Sequence, residues 1–229
     1  MSAIASNLQA VRARIVKAAS NAGRSPEKVE LLAVSKTWPA DCVVAAARAG
    51  QRAFGENYVQ EGVDKVLATV DLDLVWHFIG PLQSNKTRPV AEHFAWVHSI
   101  ERLKIAERLS AQRPAALPPL QICVQVNVSG ETSKSGCAPE EAVALCQAIA
   151  DLPRLTLRGL MAIPEPTDDF AAQRAPFCRL REIFEQVRAA GVPLDSLSMG
   201  MSHDLEAAVA EGATIVRIGT AIFGERNHT

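Results

Sequence analysis

The 229-residue chain carries 24 basic and 25 acidic residues, a net charge of −1, with 48% hydrophobic and 21% charged residues. That is the balance of a globular protein long enough for a full core, and it gives no electrostatic basis for nucleic acid or an anionic membrane as partner. Five widely spaced cysteines without a CxxC pair argue against a disulfide framework or a zinc site and for reduced thiols in a cytoplasm, and no window approaches the roughly 20 apolar residues of a membrane span.

Residues 3–20 place Ile4, Leu8, Val11, Ile15, Ala18 and Ala19 on one stripe, which predicts an amphipathic helix closed by Gly23. Arg12, Arg14 and Lys17 interrupt it, so it lacks the continuous apolar stretch of a signal peptide. Short segments rich in β-branched residues then alternate with longer alanine-rich amphipathic ones. Strands are expected at 30–36, 51–56, 74–80, 95–100, 120–128, 156–163, 194–200 and 214–219, with helices such as 40–50, 140–152 and 175–191 between them. Strict alternation implies a parallel sheet. Eight units in a chain of this length predict an α/β fold, a (β/α)8 TIM-type barrel with an extra N-terminal helix, forming one domain over 1–229. The competitor is an open doubly wound sheet, but the turn after the first strand, Ser35-Lys36-Thr37-Trp38-Pro39, is not the glycine-rich turn expected there.

A barrel works at the C-terminal ends of its strands. Here these tips are rich in Gly, Asn, Ser, Thr and Gln. The last two strands run into SMGMSHDLEAAVAEG and GTAIFG, where barrels often bind phosphate. Ser202 is placed to cap the following helix, Gly200 to let the backbone approach a ligand, and Gly219 and Thr220 to offer donors to an anion. The alternative is that these residues only cap a helix and turn the chain. Lys36 shares parity with Val34 and Leu32, so an inward-facing first strand would bring its amine to the barrel mouth. There it could form a Schiff base with a phosphorylated carbonyl compound; a snorkelling surface lysine is the other reading. Arg217 lies inside the apolar run Ile215-Val216-Arg217-Ile218 and needs a partner, either a barrel carboxylate or a ligand atom. Lys134, in the loop after the fifth strand, is a second amine on the same face. His77 and His98 are expected as hydrogen-bonded core residues, and no clustered ligand pattern supports a metal.

AVSKTWP, FGENYVQE, WHFIGPLQSNK, VNVSGETSKSG, GLMAIP and SMGMSHDLEAAVAEGATIVRIGTAIFG together closely resemble the pyridoxal phosphate homeostasis proteins, over about residues 5–227. The resemblance implies a barrel like the N-terminal barrel of alanine racemase, with pyridoxal 5'-phosphate as cofactor. Lys36 would hold it as an aldimine, Ser202, Gly219 and Thr220 would hold the phosphate, and Arg217 would face the pyridine nitrogen. Asn57 would lie beside the ring, and His203 would be unconstrained. An arginine at that nitrogen weakens the ring as an electron sink. The implied function is homeostasis and supply of the cofactor without catalytic turnover, with pyridoxal-phosphate-dependent apoenzymes as partners. The alternative is an amino-acid racemase, which needs an acid/base group on each face of its intermediate. Racemases of this kind take the second group from an additional domain, and none is expected after the eighth strand here.

Overall fold

The structure, a computed structural model, describes residues 2–130 and 135–225; Lys134 lies outside them. In chain order the elements are α1 (Ala3–Asn21), β1 (Glu30–Val34), α2 (Ala40–Arg48), β2 (Ala53–Glu56), α3 (Val59–Ala68), β3 (Val75–Phe78), α4 (Thr87–His93), β4 (Trp96–Ile100), α5 (Leu103–Gln112), β5 (Leu120–Gln125), α6 (Ala142–Ala150), β6 (Leu155–Met161), α7 (Phe170–Ala189), β7 (Ser196–Ser198), α8 (Leu205–Ala210), β8 (Ile215–Ile218) and α9 (Thr220–Phe223). Each strand pairs in parallel with the next, and β8 pairs with β1, Arg217 opposite Leu32. The sheet therefore closes into a barrel, which excludes the open sheet. No helix among the described residues is long and apolar enough to cross a membrane.

The strand after α8 is followed by only four helical residues, too few to cover its flank. α1 fills that gap, packing against α8, α9 and α2 through Leu8, Val11, Ile15, Ala18 and Ala19. Polar ties reinforce it. Asn7 Nδ2 donates to Ile222 O (2.9 Å), Arg14 to Ser202 O (3.1 Å) and Glu206, and Arg24 to Val209 O and Ala213 O. The extra N-terminal helix thus serves as the outer layer of the eighth unit.

The strands are shorter than the apolar runs that announce them; except in β2 and β4, which end where their runs do, the last residues of the run already form the loops at the mouth. α7 departs more. It starts at Phe170, not near 175, and carries Pro176 in its interior. Asp169 caps its first turn by accepting from Ala172 N (2.7 Å), and Phe177, Leu180, Ile183, Phe184 and Val187 are buried along one face. Cap and burial outweigh the hydrogen bond that proline removes.

Period-two alternation decides what faces inward. On β1, Leu31 and Ala33 join the large apolar layer under the helices, while Leu32 and Val34 join a small cluster inside the barrel with Ala53, Ile79 and Ile215. On β8, Val216 and Ile218 face outward with that large layer, and Ile215 and Arg217 inward. The inner cluster is small because much of the barrel interior is polar: His77, His98, Ser198 and Arg217 are all buried.

Candidate functional site

At the C-terminal mouth a cavity of about 200 Å³ is lined by Lys36, Asn57, Ser202, Arg217, Gly219 and Thr220, together with Val34, Ile79, Ile163, Met201 and His203. All six residues singled out as cofactor-binding candidates therefore meet in one place. A wider hollow of about 370 Å³ shares Asn57, Ile79, Ile163 and Met201 and continues to Gln125, Glu165 and three prolines. A groove of about 450 Å³ at the opposite end of the barrel is lined by Arg12, Arg52 and residues under α1. Their guanidiniums are spent on Ala49 O, Gln51 and Ala47 O, so chemistry and not size identifies the site.

Arg217 reaches the mouth from inside the wall. Of the two partners considered, a barrel carboxylate or a ligand atom, the wall supplies no carboxylate among the described residues: one Nη donates to Ser198 Oγ (2.8 Å) and the other to Ala162 O (2.8 Å). Burial pushes its pKa down to about 10, still far enough up to keep it charged at neutral pH. A guanidinium only donates, so Ser198 Oγ accepts from it; the same hydroxyl hydrogen-bonds His98 Nδ1 (2.7 Å). His98 Nε2 in turn hydrogen-bonds His77 Nδ1 (2.9 Å). The chain ends at His77 Nε2, which has no hydrogen-bond partner among the described residues, on a ring stacked on Trp96 at 5.2 Å. Burial holds both histidines neutral, His77 down to about 3 and His98 well below its ordinary value, the latter also through His77 and Arg217. As expected, they are hydrogen-bonded core residues.

Ser202 behaves differently from the expectation. α8 begins after Asp204, which has no side-chain cap bond of that kind and instead accepts from Met201 N. The Ser202 hydroxyl accepts from Ala221 N (3.4 Å) at the start of α9, because the β7–α8 loop lies directly against the β8–α9 turn. This brings Ser202, Gly219 and Thr220 to one spot although 16 residues separate Ser202 from Ile218, the last residue of β8. Gly200 is also reassigned. Its φ is +95°, and a Cβ there would stand 2.5 Å from Ala208 Cβ, so the glycine serves the turn and the seating of α8 and does not line the cavity.

Two observations bear on whether a phosphorylated pyridine aldehyde fits. A Cβ on Gly219 would lie 3.2 Å from Val34 O, a tight contact, so glycine leaves this turn more open beside the β1 backbone than a larger residue would. Asn57 lines the cavity, and its Oδ1 is buried without a hydrogen-bond partner among the described residues, an acceptor that a ligand donor could satisfy. An amine, a fixed cation, a buried acceptor and a hydroxyl-bearing turn match the functional groups of such a molecule. The residues present fit it.

Sequence reasoning missed Ile79, Ile163 and Met201 as lining residues, and it set aside His203, which is exposed yet borders the cavity. It also missed Ser198 as the acceptor for Arg217. Inward parity on β7 was the available signal.

The family of the alanine racemase N-terminal domain matches residues 6–227. The chain is 64% identical over 228 residues to the pyridoxal phosphate homeostasis protein of Pseudomonas aeruginosa, covering all of this chain and 98% of that one. The structure of PipY of Synechococcus elongatus with pyridoxal phosphate bound superposes with a TM-score of 0.85 at 38% identity, over 96% of this chain and all of that one. Alanine racemase from Corynebacterium glutamicum shares the fold alone, with a TM-score of 0.71 at 16% identity over 98% of this chain and 61% of that chain.

Proposed function

This chain belongs to the pyridoxal phosphate homeostasis proteins, within the family of the alanine racemase N-terminal domain, and from that premise we propose that it binds pyridoxal 5'-phosphate and serves the homeostasis and supply of that cofactor. The single observation that carries this reading to individual residues is the convergence of Lys36, Asn57, Ser202, Arg217, Gly219 and Thr220 on one cavity. When bound, the cofactor supplies an aldehyde that condenses with a primary amine and a ring that withdraws electrons from the carbon so attached. Lys36 provides the amine. Ser202, Gly219 and Thr220 hold the phosphate where α9 begins, and Asn57 offers Oδ1 beside the ring. Arg217, committed to Ser198 and Ala162 on one side, turns donors toward the pyridine nitrogen and so opposes its protonation.

A permanent donor at that position keeps the ring a weak electron sink, which argues against vigorous amino-acid chemistry, although racemases of the same fold tolerate the same pairing. We read 1–229 as one cytoplasmic binding domain whose partners are pyridoxal-phosphate-dependent apoenzymes. The racemase alternative would need a second acid/base group opposite Lys36; among the described residues the exposed His203 is the further titratable side chain, besides Lys36 and Arg217, that lines the cavity.

The test is direct. The purified chain mixed with pyridoxal phosphate should develop a visible absorption band that borohydride abolishes, and peptide mapping should place the reduced adduct on Lys36. Lys36→Ala should lose band and adduct. A chain that stays colourless, or an adduct on another lysine such as Lys134, would overturn the assignment. Incubation of the loaded protein with D- or L-alanine should give no inversion; robust inversion would restore the racemase.

A further inference from the structure

Thr37, directly after Lys36, has φ +68°, one of two positive values at non-glycine residues among those described. A β-branched side chain disfavours that conformation, so something must hold it. The Thr37 N–H donates to Glu61 Oε1. That same oxygen accepts from Lys65 Nζ (2.7 Å), which also donates to Glu56 Oε1 (2.7 Å) and to Ser35 O (2.7 Å). Ser35 Oγ completes the ring by donating to Glu56 Oε1 (2.7 Å). Lys65 is 5% exposed and Ser35 and Glu56 are fully buried. The three N–H groups of one ammonium thus meet three acceptors.

Ser35 O belongs to the peptide group before Lys36, and Thr37 N–H to the peptide group after it. Both peptide planes that set the direction of the Lys36 side chain end on this one cluster, buried at Lys65, Ser35 and Glu56 and partly exposed at Glu61 (28%). A buried ion cluster is a costly way to achieve stability alone, since apolar residues of similar volume often serve as well. None of Glu56, Glu61 and Lys65 lines the cavity; they lie behind the loop that carries Lys36.

We propose that Glu61 and Lys65 are positioning residues for Lys36: with Glu56 and Ser35 they fix its two peptide planes, hold Thr37 in the left-handed conformation and so aim the amine into the cavity. The cofactor arm of the test rests on the reading of Lys36 given above; the clamp itself does not.

Two measurements on the full-length chain separate them. In the cofactor-free protein, acylation of Lys36 by a small activated ester is followed by mass spectrometry, with Lys17 as internal reference. Glu61→Ala should raise Lys36 acylation several-fold as the side chain leaves its cavity. In the second measurement, titration with pyridoxal phosphate followed by borohydride trapping should show the covalent link at Lys36 weakened roughly tenfold in Glu61→Ala, the scale of one released backbone strain. Glycine adopts φ +68° unaided, so in a Thr37→Gly background the same substitution should have little effect on either reading. Lys65→Met strands Glu56 and may be replaced, should it not fold, by Lys65→Met with Glu56→Gln; either should behave as Glu61→Ala. Wild-type acylation of Lys36 in Glu61→Ala, or an effect undiminished in the Thr37→Gly background, would overturn the clamp. No trappable link at Lys36 in the wild-type chain would overturn the functional reading and leave the acylation result to decide the clamp.

Discussion

Arg217 is charged and lies inside a barrel, and a chain of three further polar groups runs from one of the bonds it donates. Ser198 Oγ accepts from the guanidinium and hydrogen-bonds His98, which in turn hydrogen-bonds His77. Ser198→Ala would strip the acceptor from Arg217 and the hydroxyl partner from His98 together. It should cost about 2 kcal/mol or more in urea unfolding, the scale of two buried polar groups left unpaired, and should weaken cofactor binding by freeing the guanidinium to turn. The histidines also predict a pH dependence. Folded His77 resists protonation down to about 3, against an ordinary value of 6.5. Between those values the unfolded chain binds more protons, so stability is lost as pH falls below about 6.5. For His77 the loss approaches about 2 kcal/mol at pH 5. Glu30 and Glu56, held above their usual range by burial, act with the opposite sign. The comparison is therefore made between wild type and His77→Gln: the urea midpoint should fall less between pH 7 and pH 5 in the variant.

Among elements, the eighth unit is the one that departs from a regular barrel. α9 is a single turn, and α1 covers the exposed flank in place of a long final helix. The same helix steadies the site, since Arg14 reaches both Ser202 O and Glu206. That exposed ion pair contributes little to stability by itself, so Arg14→Ala should leave the melting temperature nearly unchanged while raising the dissociation constant for pyridoxal phosphate a few-fold. Gly200→Ala addresses the other side of the same loop. Its φ of +95° and the 2.5 Å approach of a new Cβ to Ala208 should cost about 2–3 kcal/mol by chemical denaturation, through backbone strain and overpacking together.

At the scale of the whole molecule, burial sorts the five cysteines. Cys123, Cys137 and Cys146 are buried, and burial pushes each thiol up to about 12. A disulfide reagent at neutral pH should label Cys42 and Cys178 in the native protein and the other three only on unfolding, because the thiolate is the reacting form. Rapid labelling of Cys123 would mean that the barrel opens far more readily than its packing implies. Arg217 reaches the site from a strand of the barrel wall, whereas Lys36, Ser202, Ile163 and Met201 stand on the loops that follow β1, β6 and β7.

Alternation of strand and helix, the inward parity of Lys36 with Leu32 and Val34, and the isolation of Arg217 within an apolar strand were legible in the sequence, because each is a pattern of period two or 3.6 within a few residues. The motifs around them were enough to indicate the family and its cofactor. Tertiary structure alone decided the partner of Arg217, the turn that Ser202 serves, the use of α1 as the missing outer helix, and the ion cluster behind Lys36. Those depend on the register of strands and loops far apart in the chain: Ser198 and Ala162 lie 19 and 55 residues from the arginine they bind, and Lys65 lies 30 from the carbonyl it holds. Local periodicity states which face a side chain takes. Closure of the barrel determines what it meets there.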